Sequence, residues 1–188
     1  MFELTLFDHL RMTFGHVVYR HQAHVRLSAS RARASRWLRA SEAVLMTGVT
    51  VTAAGAAYTS IRAYAITAAV LATLALVVLL VRLTLDLERS AQVHAVCAAK
   101  LWHIREQYRA MLADMVDGAI DLDTARRRRD RLMEELHDTY EAAPAPDPQA
   151  FERAGLSAAG AANDAALSDE AIDVFLPASL QKTRRPAA

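Results

Sequence analysis

Between Ala43 and Val81 the chain avoids charge at every position but one. The runs AVLMTGVTVTAAGAAYTSI (43–61) and AYAITAAVLATLALVVLLV (63–81) carry none, and Arg62 separates them. Each run supplies nineteen residues, and a helix rising about 1.5 Å per residue needs roughly 20 to cross about 30 Å of hydrocarbon. One helix through both runs would be about twice too long, so the chain must turn near Ser60–Arg62. An arginine in hydrocarbon costs about 2.5–3.5 kcal/mol on the insertion scale; in water that cost disappears. Arg62 therefore marks the exposed tip of a two-helix transmembrane hairpin, with Tyr58 and Tyr64 at the interface on either side. The alternative is a helical hairpin buried in a soluble domain. It would need partner helices with wide apolar faces, and the rest of the chain offers only narrow stripes.

The two spans differ in character. The second is rich in Leu and Val, which suits lipid contact. The first carries Gly48, Thr52, Gly55 and Thr59 at spacings of 4, 3 and 4, hence on one helical face. Small residues let backbones approach closely, and hydroxyls can bond across the contact. That face either packs against the second span or a neighbouring copy, or lines a pore in an oligomer. Neither span holds an ionisable residue, which argues against an ion-coupled carrier.

Before the hairpin, Leu6, Leu10, Phe14, Val17 or Val18, His21 and Val25 recur at helical spacing, and arginines followed by Trp37 and Leu38 lead to the membrane. This predicts an amphipathic helix over 1–41 with Trp37 near the headgroups and arginines able to meet anionic lipid. After the hairpin the helix is expected to continue without a break, since 82–116 contains neither Pro nor Gly. Val93, Val96 or Cys97, Leu101, Ile104, Tyr108, Met111 and Met115 form a coiled-coil-like stripe. Asp117-Gly118 should stop this helix. Asp121 or Asp123 should cap a second one, which carries Leu132, Leu136 and Tyr140 on one side and ends before Pro144, Pro146 and Pro148. The stripes need a partner, either the N-terminal helix or another subunit. The run Arg126–Arg129 reads as a solvated face paired with Asp123, Asp130 and Glu134, or as a contact for lipid phosphates or an anionic ligand.

The expected organisation is thus 1–41 basic amphipathic cytoplasmic helix, 42–82 transmembrane hairpin, 83–143 cytoplasmic helical hairpin and 144–188 a Pro/Ala-rich, mostly disordered tail. Within the tail, SDEAIDVFLPASL from Ser168 can form a short docking helix, with Ser168 as cap and Ile172, Phe175 and Leu176 on one face. The fold class is an all-α membrane protein: a two-helix transmembrane hairpin with long cytoplasmic helices packed as a bundle or coiled coil.

Charge refines the picture through its distribution, because the net charge is only +1. Residues 1–41 hold seven arginines against Glu3 and Asp8, whereas 82–140 hold ten basic and eleven acidic side chains. Arg31, Arg33, Arg36 and Arg39 precede the first span, and Arg82 and Arg89 follow the second. Arginine bias therefore places both termini in the cytoplasm and the protein as a multi-pass component of the inner (plasma) membrane. The charged first forty residues lack an apolar h-region, so a cleavable signal peptide is not expected. The lone Cys97 allows no disulfide within the chain and reads as a small buried apolar residue. The basic segment lacks aromatic interleaving, so nucleic acid is not an expected partner.

Catalytic and metal signatures are missing from the sequence. It contains no G-x-x-x-x-G-K-[ST], G-x-G-x-x-G, G-x-S-x-G, H-E-x-x-H or C-x-x-C. His21 and His24 share a helical face without a nearby Glu or Cys, and His94 and His103 only roughly share one. The acids Asp114, Asp117, Asp121 and Asp123 lack the spaced glycine and terminal Glu of a calcium loop. No enzyme activity, cofactor or metal is expected.

A basic N-terminal helix ending in Trp37, a tight two-span hairpin and a following helical pair together resemble the SLATT family, the two-transmembrane effectors associated with SMODS nucleotidyltransferases and SLOG sensors. The segments LWHIREQYRAMLADMVDGAIDLDTARRRRDRLMEELHDTYEAAP (101–144) and PDPQAFERA (146–154) carry the likeness, with Tyr108, Gly118, Ile120, Arg128, Asp130, Pro148 and Phe151 as matching positions. The likeness spans about 15–155, and the alanine-rich tail departs from it. It implies a bacterial anti-phage conflict system in which a nucleotide signal, sensed by a nucleotide-sensor or nucleotidyltransferase partner, makes the membrane protein assemble and permeabilise the membrane. The physical reading gives a hairpin in a lipid bilayer that is able to form a homo-oligomer. The competing expectation is a small non-catalytic anchor or scaffold that recruits a cytoplasmic partner through Leu101, Ile104, Tyr108, Met111, Met115, Leu132, Leu136 and Tyr140.

Overall fold

The computed structural model describes residues 5–143 and 168–182. Its elements are α1 (Leu6–Tyr58), α2 (Arg62–Leu85), α3 (Leu87–Val116), α4 (Leu122–Glu141), α5 (Asp169–Asp173) and a 3-10 turn (Ala178–Leu180). No strand occurs among the described residues. The Pro144–Pro148 stop and the positions Pro148 and Phe151 lie outside them.

Each boundary has a local cause. Thr5 opens α1: its hydroxyl donates to Asp8 Oδ2 at 2.7 Å and accepts from the Asp8 amide at 3.1 Å. The chain reverses over three residues, Thr59–Ile61, and Arg62 is the first residue of α2 rather than part of the turn. The second span does not run on unbroken. Asp86 adopts φ 37° and ψ 47° and separates α2 from α3, so the expected continuous helix is corrected there. Aspartate tolerates this left-handed region better than most side chains, and absence of Pro and Gly was too weak a criterion for continuity. Gly118, at φ 67°, ends α3 and lets the Ala119 amide reach the Asp114 carbonyl at 2.8 Å. Asp121 then caps α4 by accepting from the Thr124 amide at 2.6 Å.

The chain divides into two compact units, Ser28–Gln92 on one hand and Met1–Leu27 with Val93–Ala188 on the other. The second has the larger core. There α1 contributes Leu10, Phe14, Val17 and Val18; α3 contributes Leu101, Ile104, Tyr108, Met111 and Leu112; α4 contributes Ala125, Leu132 and Leu136. Contacts between His21 and Ala98 and between His24 and His94 make α1 and α3 antiparallel here. The expected stripe is therefore closed within the chain: Leu101, Ile104, Tyr108, Met111, Leu132 and Leu136 are buried, and Met115 and Tyr140 pack at the edge of the same core. Of the upper positions expected in it, Cys97 is buried, whereas Val93 and Val96 are exposed.

Residues 168–182 add a further layer to this core. Ser168 caps α5 by accepting from the Ala171 amide, and Ile172, Leu176 and Leu180 are buried among the bundle residues. Phe175 meets Tyr19 edge-on at 6.1 Å between ring centroids.

Candidate membrane hairpin and buried polar contacts

In the Ser28–Gln92 unit, α2 returns antiparallel along α1. A Cβ on Gly48 would lie 3.1 Å from Leu71 Cδ1, and one on Gly55 would lie 2.9 Å from Tyr64 Cδ1. The two glycines thus face the returning span of the same chain, and their missing side chains set how closely it approaches. Thr52 on the same face is half-buried and Thr59 is exposed at the turn. Their hydroxyls donate to the carbonyls of Gly48 and Gly55, at 2.7 and 2.8 Å. Thr47, Thr50, Thr67 and Thr73 do likewise, each bonding the carbonyl four residues earlier. Every threonine of the two spans is satisfied by its own helix, which removes the penalty of an unpaired hydroxyl in hydrocarbon.

The outer sides of both spans are open. Val44, Val51, Ile66, Val70, Leu74, Val77 and Leu80 are all exposed. Both helices are long and apolar enough to cross a membrane, and almost nothing in their apolar windows is buried within the protein. A contiguous apolar surface of this extent marks a site of contact with lipid or with another protein. At the turn Tyr58 is 90 % exposed and Arg62 and Tyr64 are exposed; at the other end Trp37 is 76 % exposed. Ion pairs hold the polar ends of the helices together: Arg82 to Glu42 at 3.4 Å and Arg39 to Glu88 at 2.7 Å.

The bundle unit holds three buried polar features that sequence reasoning missed. Arg11, on α1, is 1 % exposed and bonds Asp173 of α5, with Asp169 at 3.6 Å. Lys182 reinforces the contact, reaching Asp8 at 2.9 Å and Asp169 at 3.2 Å. Arg11 Nε and Nη1 have no hydrogen-bond partner among the described residues. No local signal could have paired Arg11 with a residue 162 positions away. His24 and His94, both 1 % exposed, meet through their Nδ1 atoms at 2.9 Å. Burial first, and then the nearness of His94, Arg20 and His21, pushes the His24 imidazole down to about 4. One ring donates and the other accepts, so the two Nδ1 atoms do not both carry a proton. Among the described residues no set of three or more His, Cys, Asp or Glu side chains is arranged to hold a metal ion. Finally, Tyr108 Oη is buried without a hydrogen-bond partner among the described residues, and burial pushes its phenol up.

The arginine run is a paired surface. Arg126 meets Asp123 at 3.2 Å, Arg128 meets Asp114 at 2.9 Å and Arg129 meets Asp130 at 2.7 Å. Asp114 is the partner the sequence did not offer, because it lies across the α3–α4 turn. Arg20, from α1, stacks over the Tyr140 ring at 4.4 Å.

No curated protein and no solved structure matches the chain. A family model does match, over residues 6–170, which takes in both spans, α3 and α4. The chain belongs to the SMODS and SLOG-associating 2TM effector domain family 4.

Proposed function

We propose that this protein is a non-enzymatic effector that resides in the bacterial inner membrane with both termini in the cytoplasm and permeabilises that membrane as a homo-oligomer when a nucleotide-signalling partner activates it in an antiviral response. The observation that carries the reading is the hairpin itself: two antiparallel apolar helices with lipid-ready outer faces, closed by a three-residue turn, in a chain of the two-transmembrane effector family. Arginines flank the hairpin at its open end and only Arg62 stands at its tip, which supports the orientation. Closure of the bundle stripe within the chain occupies those residues internally, whereas the outer faces of the membrane helices stay exposed and free for self-association.

The test is induction of the full chain in cells together with the nucleotidyltransferase or nucleotide sensor of its system. A potential-sensitive dye is expected to report collapse of the membrane potential within minutes of activation. Gly55→Leu is expected to weaken the collapse severalfold, because the bulkier side chain meets the Tyr64 ring and spreads the spans. An unchanged potential with a membrane-inserted, activated chain would exclude permeabilisation and leave the anchor reading.

A further inference from the structure

The geometry points to a binding site for the phosphate headgroup of an anionic phospholipid on the α1–α3 face of the Ser28–Gln92 unit, with Arg36 and Arg33 as its cations. This rests on the membrane placement of the hairpin. Two rows of side chains at spacing three run side by side along α1: Ala29, Ala32 and Ser35, then Arg33, Arg36 and Arg39. With Ala91 of α3 they line an open cavity of about 400 Å³. The alanines form a floor that lets a phosphate come close, and the arginines form one wall.

Charge pairing decides which arginines are available. Arg39 bonds Glu88 at 2.7 Å and Ser35 at 3.4 Å, so the one acid in the cavity is already neutralised. Arg31 bonds Ser90. Arg33 and Arg36 are exposed and make no ion pair or hydrogen bond among the described residues. Two uncompensated guanidinium groups beside a small-residue floor suit the planar, bidentate recognition of phosphate oxygens.

Depth favours a lipid over a soluble anion. At about 1.5 Å per residue, Arg39 lies about 6 Å and Arg36 about 10 Å before the first apolar residue, Ala43. The headgroup layer occupies about 5–8 Å on each side of the hydrocarbon, so Arg39 falls within it, while Arg36 and Arg33, about 10 and 15 Å out, lie beyond it and reach back towards it with their long side chains. Trp37, between them and largely exposed, has the interfacial character that fixes this depth.

The full chain would be placed in nanodiscs of phosphatidylcholine containing a minority of phosphatidylglycerol, and the lipids retained on the released protein counted by native mass spectrometry. The expected result is enrichment of phosphatidylglycerol, reduced about tenfold in Arg33→Glu/Arg36→Glu and unchanged in Arg62→Glu at the opposite end of the hairpin. Helicity measured by circular dichroism would confirm that the double variant is folded. Inorganic phosphate at millimolar concentration is expected not to displace the lipid. Equal retention of both lipids, or equal retention by the double variant, would overturn the site while leaving the membrane hairpin intact. Displacement by phosphate would assign the cavity to a soluble anion and overturn the lipid assignment. Failure of the chain to enter nanodiscs of any composition would overturn the membrane reading and this site with it.

Discussion

His24 shows what burial does to a single titratable group. In the unfolded chain it titrates near 6.5, and in the fold its imidazole is held down to about 4. Between those values the unfolded chain binds more protons, so stability is fully present above about pH 6.5 and falls as the pH drops towards 4. The loss attributable to this group is on the order of 1–3 kcal/mol. His24→Gln keeps a polar side chain and removes the titration. Thermal unfolding of the detergent-solubilised chain from pH 7.5 to 4.5 is expected to show a shallower decline for the variant than for the parent. The pairing behind this behaviour was not legible in the sequence. Spacing along one helix linked His21 with His24 and His94 with His103, whereas the structure joins His24 to His94, and His103 to Gln107. Contacts across helices depend on register, and a single sequence does not print it.

Among the elements, α5 is the clearest case of a contact made far along the chain. The apolar side of α5 and the turn after it was readable from Ile172, Phe175 and Leu176, and the cap from Ser168 by type and place; what the segment docks against was not. The polar centre of the contact is Asp173 on Arg11, both buried. Removing one member of a buried pair costs about 3–5 kcal/mol where nothing else compensates the remaining charge, and Asp169, 3.6 Å from Arg11, offsets part of that loss here. Asp173→Ala is therefore expected to lower the unfolding midpoint and to open residues 168–182 to limited proteolysis. If those residues stay protected, Ile172, Leu176 and Leu180 hold the segment without the ion pair. The helix boundaries divide in the same way. Gly118 and Asp121 announced themselves through the turn and cap chemistry that glycine and aspartate perform. Asp86 did not, because an aspartate is also an ordinary helix residue and only its backbone angles reveal the break.

For the whole molecule, the hairpin was the most legible feature, since charge avoidance over two lengths matched to a bilayer is a constraint that composition records directly. Its internal contact was half legible: the small-residue face was evident, but only the structure turns Gly48 and Gly55 towards α2 of the same chain. If the proposed orientation holds, a cysteine introduced at Ser60 will react with a membrane-impermeant maleimide applied outside intact cells. Cys97, buried in the bundle, will not. Labelling at Ser60 only after lysis would reverse the assigned topology.

The threonines of the spans have a bearing on how such a hairpin changes company. Each hydroxyl proton is committed to a carbonyl on its own helix, so if the hairpin sits in lipid as proposed, exchanging a lipid neighbour for another protein surface would sever no polar link. Only dispersion contacts are traded, and lipid tails supply these about as well as leucine does. Under the proposed function, whether copies gather or scatter would then be governed by their crowding in the bilayer and by the fit of small side chains, a balance that modest changes in either would tip.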